Sequence, residues 1–131
     1  MPTKLTQEDL AILAEPYVAA VATVGADGGP HITPVWVDTD GEVVRFDTAK
    51  GRVKELNLRR NPRIALVVLD SNNPYRWVAV RGTAEMVEEG ADAHIDALAK
   101  KYLGQDKYPW RNPGEERVTV RVVPEQRVGM S

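Results

Sequence analysis

Short segments of alternating apolar and polar residues follow one another along the chain, with turn residues between them. In the first half this pattern predicts three strands in a meander, over Tyr17–Val24, Pro30–Val37 and Glu42–Ala49. The segments between them, Gly25–Gly29 and Asp40–Gly41, contain residues that favour the positive φ angles of tight hairpins. Proline cannot donate to a sheet, so the two prolines of the second strand predict that it lies at an edge or a bulge.

The second half of the chain predicts two further strands, over Arg63–Asp70 and Tyr75–Glu88, followed by an irregular loop over Gln105–Glu116. The near-continuous apolar run of the first of these strands predicts burial on both faces of the sheet. Gly82 predicts a bulge in the second. One or two closing strands are predicted over Val118–Val123 and Gln126–Met130.

Three short helices are predicted between the strands. Thr6 is placed to cap the first, which continues to Leu13, because its hydroxyl can accept a hydrogen bond from a free backbone amide. Gly51–Arg60 predicts the second, and apolar residues at helical spacing from Ala91 predict a third that stops at Gly104. Six or seven short strands must hide their edges, so the pattern predicts a small closed β-barrel with two or three helices.

Size and composition are those of a globular protein with one domain spanning residues 1–131. The chain is 43% apolar and 27% charged, which argues against disorder. It contains no cysteine, which excludes disulfides and thiolate chemistry. The longest apolar run, Tyr17–Val24, is too short to cross a membrane, and Met1–Lys4 lacks the apolar core of a signal peptide. We therefore expect a cytoplasmic protein with no membrane association.

Basic residues are concentrated in one part of the chain. The segment Arg45–Arg63 holds seven Lys/Arg and two acidic residues, although the net charge of the whole chain is −2. Nucleic-acid-binding domains are usually broadly basic, so this local excess indicates a small anionic ligand and no nucleic acid. A nucleic-acid-binding barrel is an alternative that rests only on this segment and on the aromatic residues.

Side chains for nucleophilic or metal-assisted catalysis are scarce. The only serines are Ser71, in a turn, and Ser131, and no Gly-x-Ser-x-Gly motif is present. The two histidines have no partner at metal-ligand spacing, so no metal site is predicted. His94 is predicted on the solvent side of the third helix. His31, on the second strand, is predicted to be a surface histidine.

The clearest candidate for a binding site is the junction between the third strand and the second helix. Thr48 ends the strand, Gly51 permits close approach of a ligand to the backbone, and the helix begins with free backbone amides. Arg52 carries a planar fork suited to phosphate, and Lys50 and Lys54 add point charges. The junction indicates a phosphate or carboxylate site. The alternative is a solvated basic face of the helix.

Aromatic residues beside arginine form a second candidate. Trp77 follows Arg76, Trp110 precedes Arg111, and Trp36 lies on the second strand. An exposed arginine–tryptophan pair suits a flat anionic ligand or a protein interface. Core packing accounts for any one of the tryptophans alone.

A family resemblance is carried by four segments that run in order across most of the chain, namely Gly29–Trp36, Thr48–Lys54, Asn57–Arg63 and Val80–Glu85. On these segments the sequence resembles the pyridoxamine 5′-phosphate oxidase-like flavin-binding split β-barrels. Its Lys-Gly-Arg-x-Lys and Pro-x-Trp segments are closer to the small deazaflavin-dependent branch, which uses coenzyme F-420, than to the FMN oxidases.

The resemblance implies a mainly β (α+β) fold, a six-stranded antiparallel split β-barrel working as a homodimer with two cofactor sites at the subunit interface. The implied cofactor is coenzyme F-420, with FMN as the alternative. Its phosphate falls within residues 48–54, its ring lies along the strand at 33–36, and the partner subunit supplies groups around 76–77 and 110–111. The implied cofactor-binding residues are Thr33, Pro34, Val35, Trp36, Thr48, Lys50, Gly51, Arg52, Lys54, Asn57, Arg76, Trp77, Trp110 and Arg111.

The function implied by the resemblance is an oxidoreductase in which reduced F-420 delivers a hydride to a small electron-poor organic acceptor. The cofactor carries the hydride, while the protein supplies binding and orientation. No catalytic side chain is assigned, although His31 and Tyr75 are candidates for a proton donor. Oxidation of a vitamin B6 phosphate is not expected, because the chain lacks the extended C-terminal substrate-binding part of the true oxidases. Two alternatives stay open: an FMN-dependent oxidoreductase, and a non-catalytic carrier of a flavin, deazaflavin or haem-related ligand.

Overall fold

Strands are the most common regular element of the computed structural model, which describes residues 2–129. In chain order the elements are α1 (Gln7–Ala14), β1 (Ala19–Val24), β2 (Pro30–Val35), β3 (Asp38–Thr39), β4 (Val44–Ala49), α2 (Val53–Arg60), β5 (Arg63–Asp70), β6 (Asn73–Val87), α3 (Ala91–Leu103) and β7 (Arg117–Gly129). The strands form one antiparallel sheet in the spatial order β2-β1-β5-β6-β7-β4-β3. The predicted mainly β architecture with short helices is confirmed.

The prediction of exactly six strands in a closed barrel is corrected by the observed sheet. Seven strands are present among residues 2–129, and the sheet curls into a half-barrel with β2 and β3 at the two ends of the strand order. The additional strand, β3, has only two residues. A strand this short carries no alternating pattern, so its sequence gives no signal of pairing.

The predicted meander of the first three strands is wrong. β1 pairs with β2 across the turn at 25–29, as predicted, but β4 pairs with β7 and β3 and not with β2. The prolines of β2 account for the difference, because they remove two amide donors that a second neighbouring strand would need. The predicted edge position of β2 is confirmed.

β5 is buried on one face only, which corrects the prediction of burial on both. Ile64, Leu66 and Val68 point into the core, and the residues between them are half-buried or exposed. Apolar side chains are common on protein surfaces, so a continuous apolar run does not by itself show that a strand is covered twice.

β6 and β7 are the two longest strands and pair along most of their length. The register of this pairing shifts between Arg81 and Gly82, which confirms the predicted bulge. β7 continues without a break to Gly129, so the chain closes with one strand. Met130, the predicted end of that strand, lies outside the described residues.

The three predicted helices are confirmed together with the caps that bound them. Thr6 Oγ1 accepts from the amide of Asp9 (3.0 Å), and Gly104 ends α3 in the left-handed region with a φ of 74°. Helix α1 contributes Leu13 to the core, where it joins Phe46 of β4. No helix among residues 2–129 combines the length and the apolar character needed to span a membrane.

Tyr102 fastens the last turn of α3 to the strands. Its hydroxyl donates to the carbonyl of Tyr17 (2.7 Å) and accepts from the amide of Val37 (3.0 Å). Burial raises the pKa of Tyr102 to about 12, so the hydroxyl keeps its proton at neutral pH. The half-buried Lys101 ammonium donates to the carbonyl of Val37 (2.6 Å). These contacts fix the segment between β2 and β3, beside which the main cavity opens.

Candidate functional site

A cavity of about 360 Å³ opens between the end of β2, β4, the start of α2, α3 and the loop before β7. Its volume is typical of small-molecule sites in proteins. The lining residues are Val18, Pro34, Val35, Trp36, Asp47, Thr48, Arg52, Lys54, Ile95, Leu98, Tyr108, Trp110 and Arg117. Seven of them are among the residues predicted to bind a cofactor, namely Pro34, Val35, Trp36, Thr48, Arg52, Lys54 and Trp110.

Three cations form one side of the cavity, which we call the basic wall: Arg52, Lys54 and Arg117. The two guanidinium groups share one carboxylate, since Glu115 lies 3.2 Å from Arg52 Nη2 and 3.1 Å from Arg117 Nη1. Burial and the charges of the two arginines lower the pKa of Lys54. The basic wall therefore holds more positive charge than its carboxylate offsets, and an anionic ligand would relieve the repulsion.

Two buried polar atoms among the cavity-lining residues have no hydrogen-bond partner within the part of the chain that the structure describes. They are Thr48 Oγ1 and Arg117 Nη1. The contact from Arg117 to Glu115 is an ion pair without the alignment of a hydrogen bond. A buried polar group left unpaired costs about 1–3 kcal/mol, so a ligand that bonds to the Thr48 hydroxyl would be bound more tightly.

The start of α2 differs in one respect from the predicted phosphate site. Gly51 adopts a φ of +91°, which favours glycine, but its amide donates to Glu55 Oε1 (2.9 Å) and is not free. Arg59 in turn contacts Glu55 (2.7 Å). The carboxylate of Glu55 therefore already occupies the Gly51 amide before the helix. The basic wall remains the principal feature that can attract an anionic ligand.

Another part of the cavity lining is aromatic, and we call its rings, Trp36, Tyr108 and Trp110, the aromatic wall. Trp36 stacks on Tyr102 with ring centroids 5.3 Å apart and planes at 10°. Trp110 lies 6.2 Å from Trp36 and 5.8 Å from Tyr108, and is 59% exposed. Arg117 lies over the Tyr108 ring at 5.2 Å, which joins the two walls. The aromatic wall offers flat apolar surface beside concentrated positive charge.

Two of the predicted cofactor-binding cations are paired with acidic residues outside the cavity lining. Lys50 Nζ lies 2.6 Å from Glu88, and this hydrogen bond is the main reason that the pKa of Lys50 is raised. Arg76 bridges Glu8 (2.5 Å) and Asp70 (3.1 Å), which joins β6 to α1. Within this chain both cations are accounted for by surface ion pairs.

Arg111 and Trp77 also lie outside the cavity lining. Arg111 pairs with Asp92 (3.1 Å) and Asp96 (2.7 Å), and so ties the loop before β7 to α3. Trp77 is half-buried on β6, opposite Leu69 of β5. The cavity thus contains Trp110 but not the arginine that follows it.

Two further predicted residues, Asn57 and Thr33, do not line the main cavity. The Asn57 amide nitrogen donates to the hydroxyl of Thr23 (3.0 Å), and Arg60 donates to its oxygen, so this buried side chain fastens α2 to β1. Thr33 precedes the lining residue Pro34 on β2, and its buried hydroxyl has no partner among residues 2–129.

Neither candidate for a proton donor lines the main cavity. Tyr75 is 75% exposed near the start of β6. His31 lines a second cavity of about 450 Å³, between the β1–β2 turn and α2, together with Asn57 and Arg60. No role in the chemistry of the main cavity follows for either side chain.

His94 is buried, which corrects its predicted place on the solvent side of α3. Its Nδ1 lies 3.2 Å from Asp47 and its Nε2 lies 3.2 Å from Asp38. Burial disfavours the charged imidazole, but the two carboxylates outweigh burial and raise the pKa of His94. Both carboxylates come from distant strands, so helical spacing could not reveal them. Residues 2–129 contain no group of three or more His, Cys, Asp or Glu side chains that could hold a metal ion.

Sequence reasoning missed the buried charged pair at the base of the cavity. Asp47 and Arg117 are joined at 2.7 Å, with side chains 0% and 3% exposed. The one available signal was an acidic residue in the middle of a strand that is otherwise buried. The other lining residues that were not predicted are Val18, Ile95, Leu98 and Tyr108.

Cations and aromatic rings that line one cavity of a curled antiparallel sheet suit a flat anionic ligand. Comparison with known proteins agrees with this class: residues 5–128 match the family described as pyridoxamine 5′-phosphate oxidase. The chain belongs to the pyridoxamine 5′-phosphate oxidase family, as predicted.

Individual relatives support the predicted branch of that family. The chain is 32% identical over 129 residues to an F-420H(2)-dependent biliverdin reductase of Mycobacterium tuberculosis, an alignment that covers 97% of this chain and 89% of that one. It is 34% identical over 94 residues to the 5a,11a-dehydrotetracycline/5a,11a-dehydrooxytetracycline reductase of Streptomyces rimosus, covering 65% and 66% of the two chains. A solved structure described as an F-420 reductase has a TM-score of 0.79 at 34% identity, covering 90% of this chain and 94% of that one.

Proposed function

We propose that this protein is an F-420-dependent oxidoreductase that transfers a hydride from the reduced coenzyme to a small electron-poor organic acceptor. Similarity to two proteins named for F-420 supports the cofactor, and similarity to two named reductases of organic molecules supports the reaction class. The observation that carries the proposal is a single cavity lined both by the basic wall, beside the unpartnered buried hydroxyl of Thr48, and by the aromatic wall.

The residues of the basic wall fit the anionic part of such a cofactor. Thr48 Oγ1 and Arg117 Nη1 would hold it by hydrogen bonds, because both atoms are buried beside the cavity without a partner among the described residues. Arg52 and Lys54 would add charge at the same wall. Arginine can form two parallel hydrogen bonds to a phosphate, and lysine binds it as a point charge. Together these residues can orient an anion and neutralise its charge.

The aromatic wall and β2 fit the planar part. The end of β2 brings Pro34 and Val35 to the cavity, and Trp36 and Trp110 add flat surface. When bound, reduced F-420 supplies the hydride, and the chain supplies position and a dry surface. These side chains would hold the acceptor against the ring and keep water from the reacting faces.

We propose further that the protein is a homodimer with its cofactor sites at the subunit interface. Apolar side chains stay exposed on β2 and on α2, where Ile32, Val53 and Leu56 are 67%, 54% and 49% exposed. The free edge of β2 lies beside them, and a second copy would cover both.

Sedimentation equilibrium tests the dimer. We expect twice the 14.5 kDa mass of the chain at micromolar concentration, and a shift to the single mass in Leu56→Glu, because a charge on a covered apolar face must be desolvated. Leu103→Glu, at the 39% exposed end of α3, is the matched control and should leave the dimer intact. A wild-type protein that sediments as a monomer would contradict the proposal.

Fluorescence titration with F-420 and with FMN tests the cofactor. Arg52→Ala should weaken F-420 binding by about 1.5–3 kcal/mol, the value of a hydrogen bond to a charged group. The lower end of that range is expected, because the side chain is 46% exposed. Arg63→Ala, in the same basic segment but outside the cavity lining, is the control and should bind like the wild type.

The titration also separates the alternatives. Preferential binding of FMN would move the protein to the flavin-dependent branch of its family. Tight F-420 binding without turnover across a broad panel of acceptors would make it a carrier. Equal affinity of Arg52→Ala and wild type would remove this arginine from the site.

A further inference from the structure

Seven side chains of alternating charge run from β3 and β4 to the mouth of the main cavity. Arg45 contacts Asp38 through two hydrogen bonds of 2.9 and 3.0 Å. His94 lies between the two aspartates at 3.2 Å from each, and the second aspartate contacts Arg117. In order the members are Arg45, Asp38, His94, Asp47, Arg117, Glu115 and Arg52. We call this series the charge chain.

The last members of the charge chain are parts of the candidate cofactor site. Asp47, Arg117 and Arg52 line the cavity, whereas His94 does not. A change at His94 therefore reaches the basic wall through Asp47, which contacts both His94 (3.2 Å) and Arg117 (2.7 Å). Asp47 is fully buried, so its interactions with these two cations are little screened by solvent.

His94 is the one member of the charge chain whose ordinary pKa lies near neutral pH. The groups that face it come from three strands: Asp38 of β3, Asp47 of β4 and the hydroxyl of Thr119 of β7, 3.3 Å from Nδ1. Arg45 and Arg117 contact the far sides of the two carboxylates.

Protonation of His94 changes the net charge of the series. With the imidazole charged, four cations face three carboxylates, and the net charge is +1; with the imidazole neutral it is zero. When His94 is charged, each of the carboxylates Asp47 and Glu115 is shared between two cations. The charges of Arg117 and Arg52 are then less completely neutralised, so these two arginines attract an anion more strongly.

We propose that His94 is a positioning residue whose protonation strengthens the binding of the anionic cofactor at the basic wall. This inference rests on the proposed function, because the proposed function places the anionic part of the cofactor at the basic wall. The proton and the cofactor then favour one another reciprocally: cofactor affinity falls as pH rises through the titration of His94, and the bound cofactor makes the proton harder to remove.

The dependence of F-420 affinity on pH tests the proposal. Between about pH 6 and pH 9, wild-type affinity should fall about fivefold more than that of His94→Asn, a factor at the lower end of coupling between sites. Once the pH exceeds the titration of His94, the two proteins should bind alike, because the wild-type imidazole is then neutral. His31→Asn, which changes the only other histidine, should follow the wild type. The titration of the coenzyme itself is common to all three proteins.

A second measurement needs no variant and so does not depend on how well His94→Asn folds. The chain has two histidines, and the carbon-bound ring protons of each can be followed by NMR. Saturation with F-420 should raise the midpoint of His94 by about 0.7 in pH, which is the same fivefold factor.

Parallel pH profiles in wild type and His94→Asn, or an unmoved His94 midpoint, would overturn the proposal. Absence of F-420 binding at every pH would instead refute the proposed function. Inorganic sulfate, which stays ionised throughout this range, then becomes the probe of the basic wall. If sulfate fails to raise the His94 midpoint, the coupling itself is refuted.

Discussion

Replacement of Asp47 by alanine is expected to lower the free energy of unfolding by about 3–5 kcal/mol, the cost of breaking a buried ion pair from one side. The Asp47 side chain is completely buried and accepts from Arg117 Nε (2.7 Å). It also lies 3.2 Å from His94 and 3.3 Å from the hydroxyl of Thr119. Without it the guanidinium of Arg117, 3% exposed, keeps its charge and loses its closest carboxylate.

Urea unfolding followed by circular dichroism measures this cost. Asp106→Ala is the matched control, because it removes a carboxylate whose ion pair with Lys100, at 3.3 Å, joins two exposed side chains. A pair of this kind contributes about 0–1 kcal/mol, so the control should unfold almost as the wild type does. A loss below 1 kcal/mol in Asp47→Ala would mean that the remaining ion pair of Arg117 with Glu115 (3.1 Å) is enough to compensate the buried charge.

Stability alone does not explain why this pair is buried. Apolar residues of similar volume can often replace a buried ion pair without lowering the stability of the fold. The reason is that burying the two charges costs desolvation energy that apolar residues avoid. The pair at Asp47 and Arg117 lies instead where a charge is useful, beside the cavity and below the unpaired hydroxyl of Thr48. Its cost to folding is consistent with a group kept for binding an anion.

Features that depend on near neighbours in sequence could be predicted well. Caps, turns and helical spacing act over a few residues, so the helices ending near Arg60 and Gly104 and the bulge at Gly82 were all predicted. The grouping of Thr48, Arg52 and Lys54 was also predicted, because one strand-to-helix junction carries all three.

Features that depend on strand order could not be predicted in this way. The partner of β4 is β7, some seventy residues later, and no local pattern specifies it. The same pairing places Asp47 opposite Thr119 and brings Arg117 to the cavity. Because the predicted strand order was wrong, the ion pair between Asp47 and Arg117 could not be predicted. His94 was misplaced for the same reason, since its buried partners Asp38 and Asp47 come from other elements.

The chemical type of a cationic side chain also does not determine whether it pairs with a carboxylate of the protein or stays available to a ligand. Lys50 and Arg111 suit a phosphate as well as Arg52 does, yet in the structure the first pairs with Glu88 and the second with Asp96. Surface cations can pair with whichever carboxylate the fold brings near, and sequence spacing does not reveal that choice. The anion site indicated by the basic segment therefore stays a prediction, and the sequence alone does not say which cations line the cavity.

Gly82 provides a test of the fold that sequence and structure both indicate. The residue lies where the register of the β6–β7 pairing shifts, opposite Pro124. A methyl group at this position would overlap the carbonyl oxygen of Val123 and lie 2.9 Å from its carbonyl carbon. Both atoms belong to the backbone of β7, so the clash cannot be relieved by the turn of a flexible side chain.

Gly82→Ala is therefore expected to destabilise the protein by about 3 kcal/mol or more, at the upper limit of overpacking, because β7 must move away from β6. Gly104→Ala is the matched control: it adds the same methyl group in open space, where only the positive φ of 74° opposes it. That conformational cost is about 1 kcal/mol. Thermal and urea unfolding of both variants separates the two effects, and equal losses would show that the strands yield easily at the bulge. Since β7 carries Arg117 at its other end, a Gly82→Ala protein that folds yet binds F-420 normally would show that the bulge and the basic wall are independent.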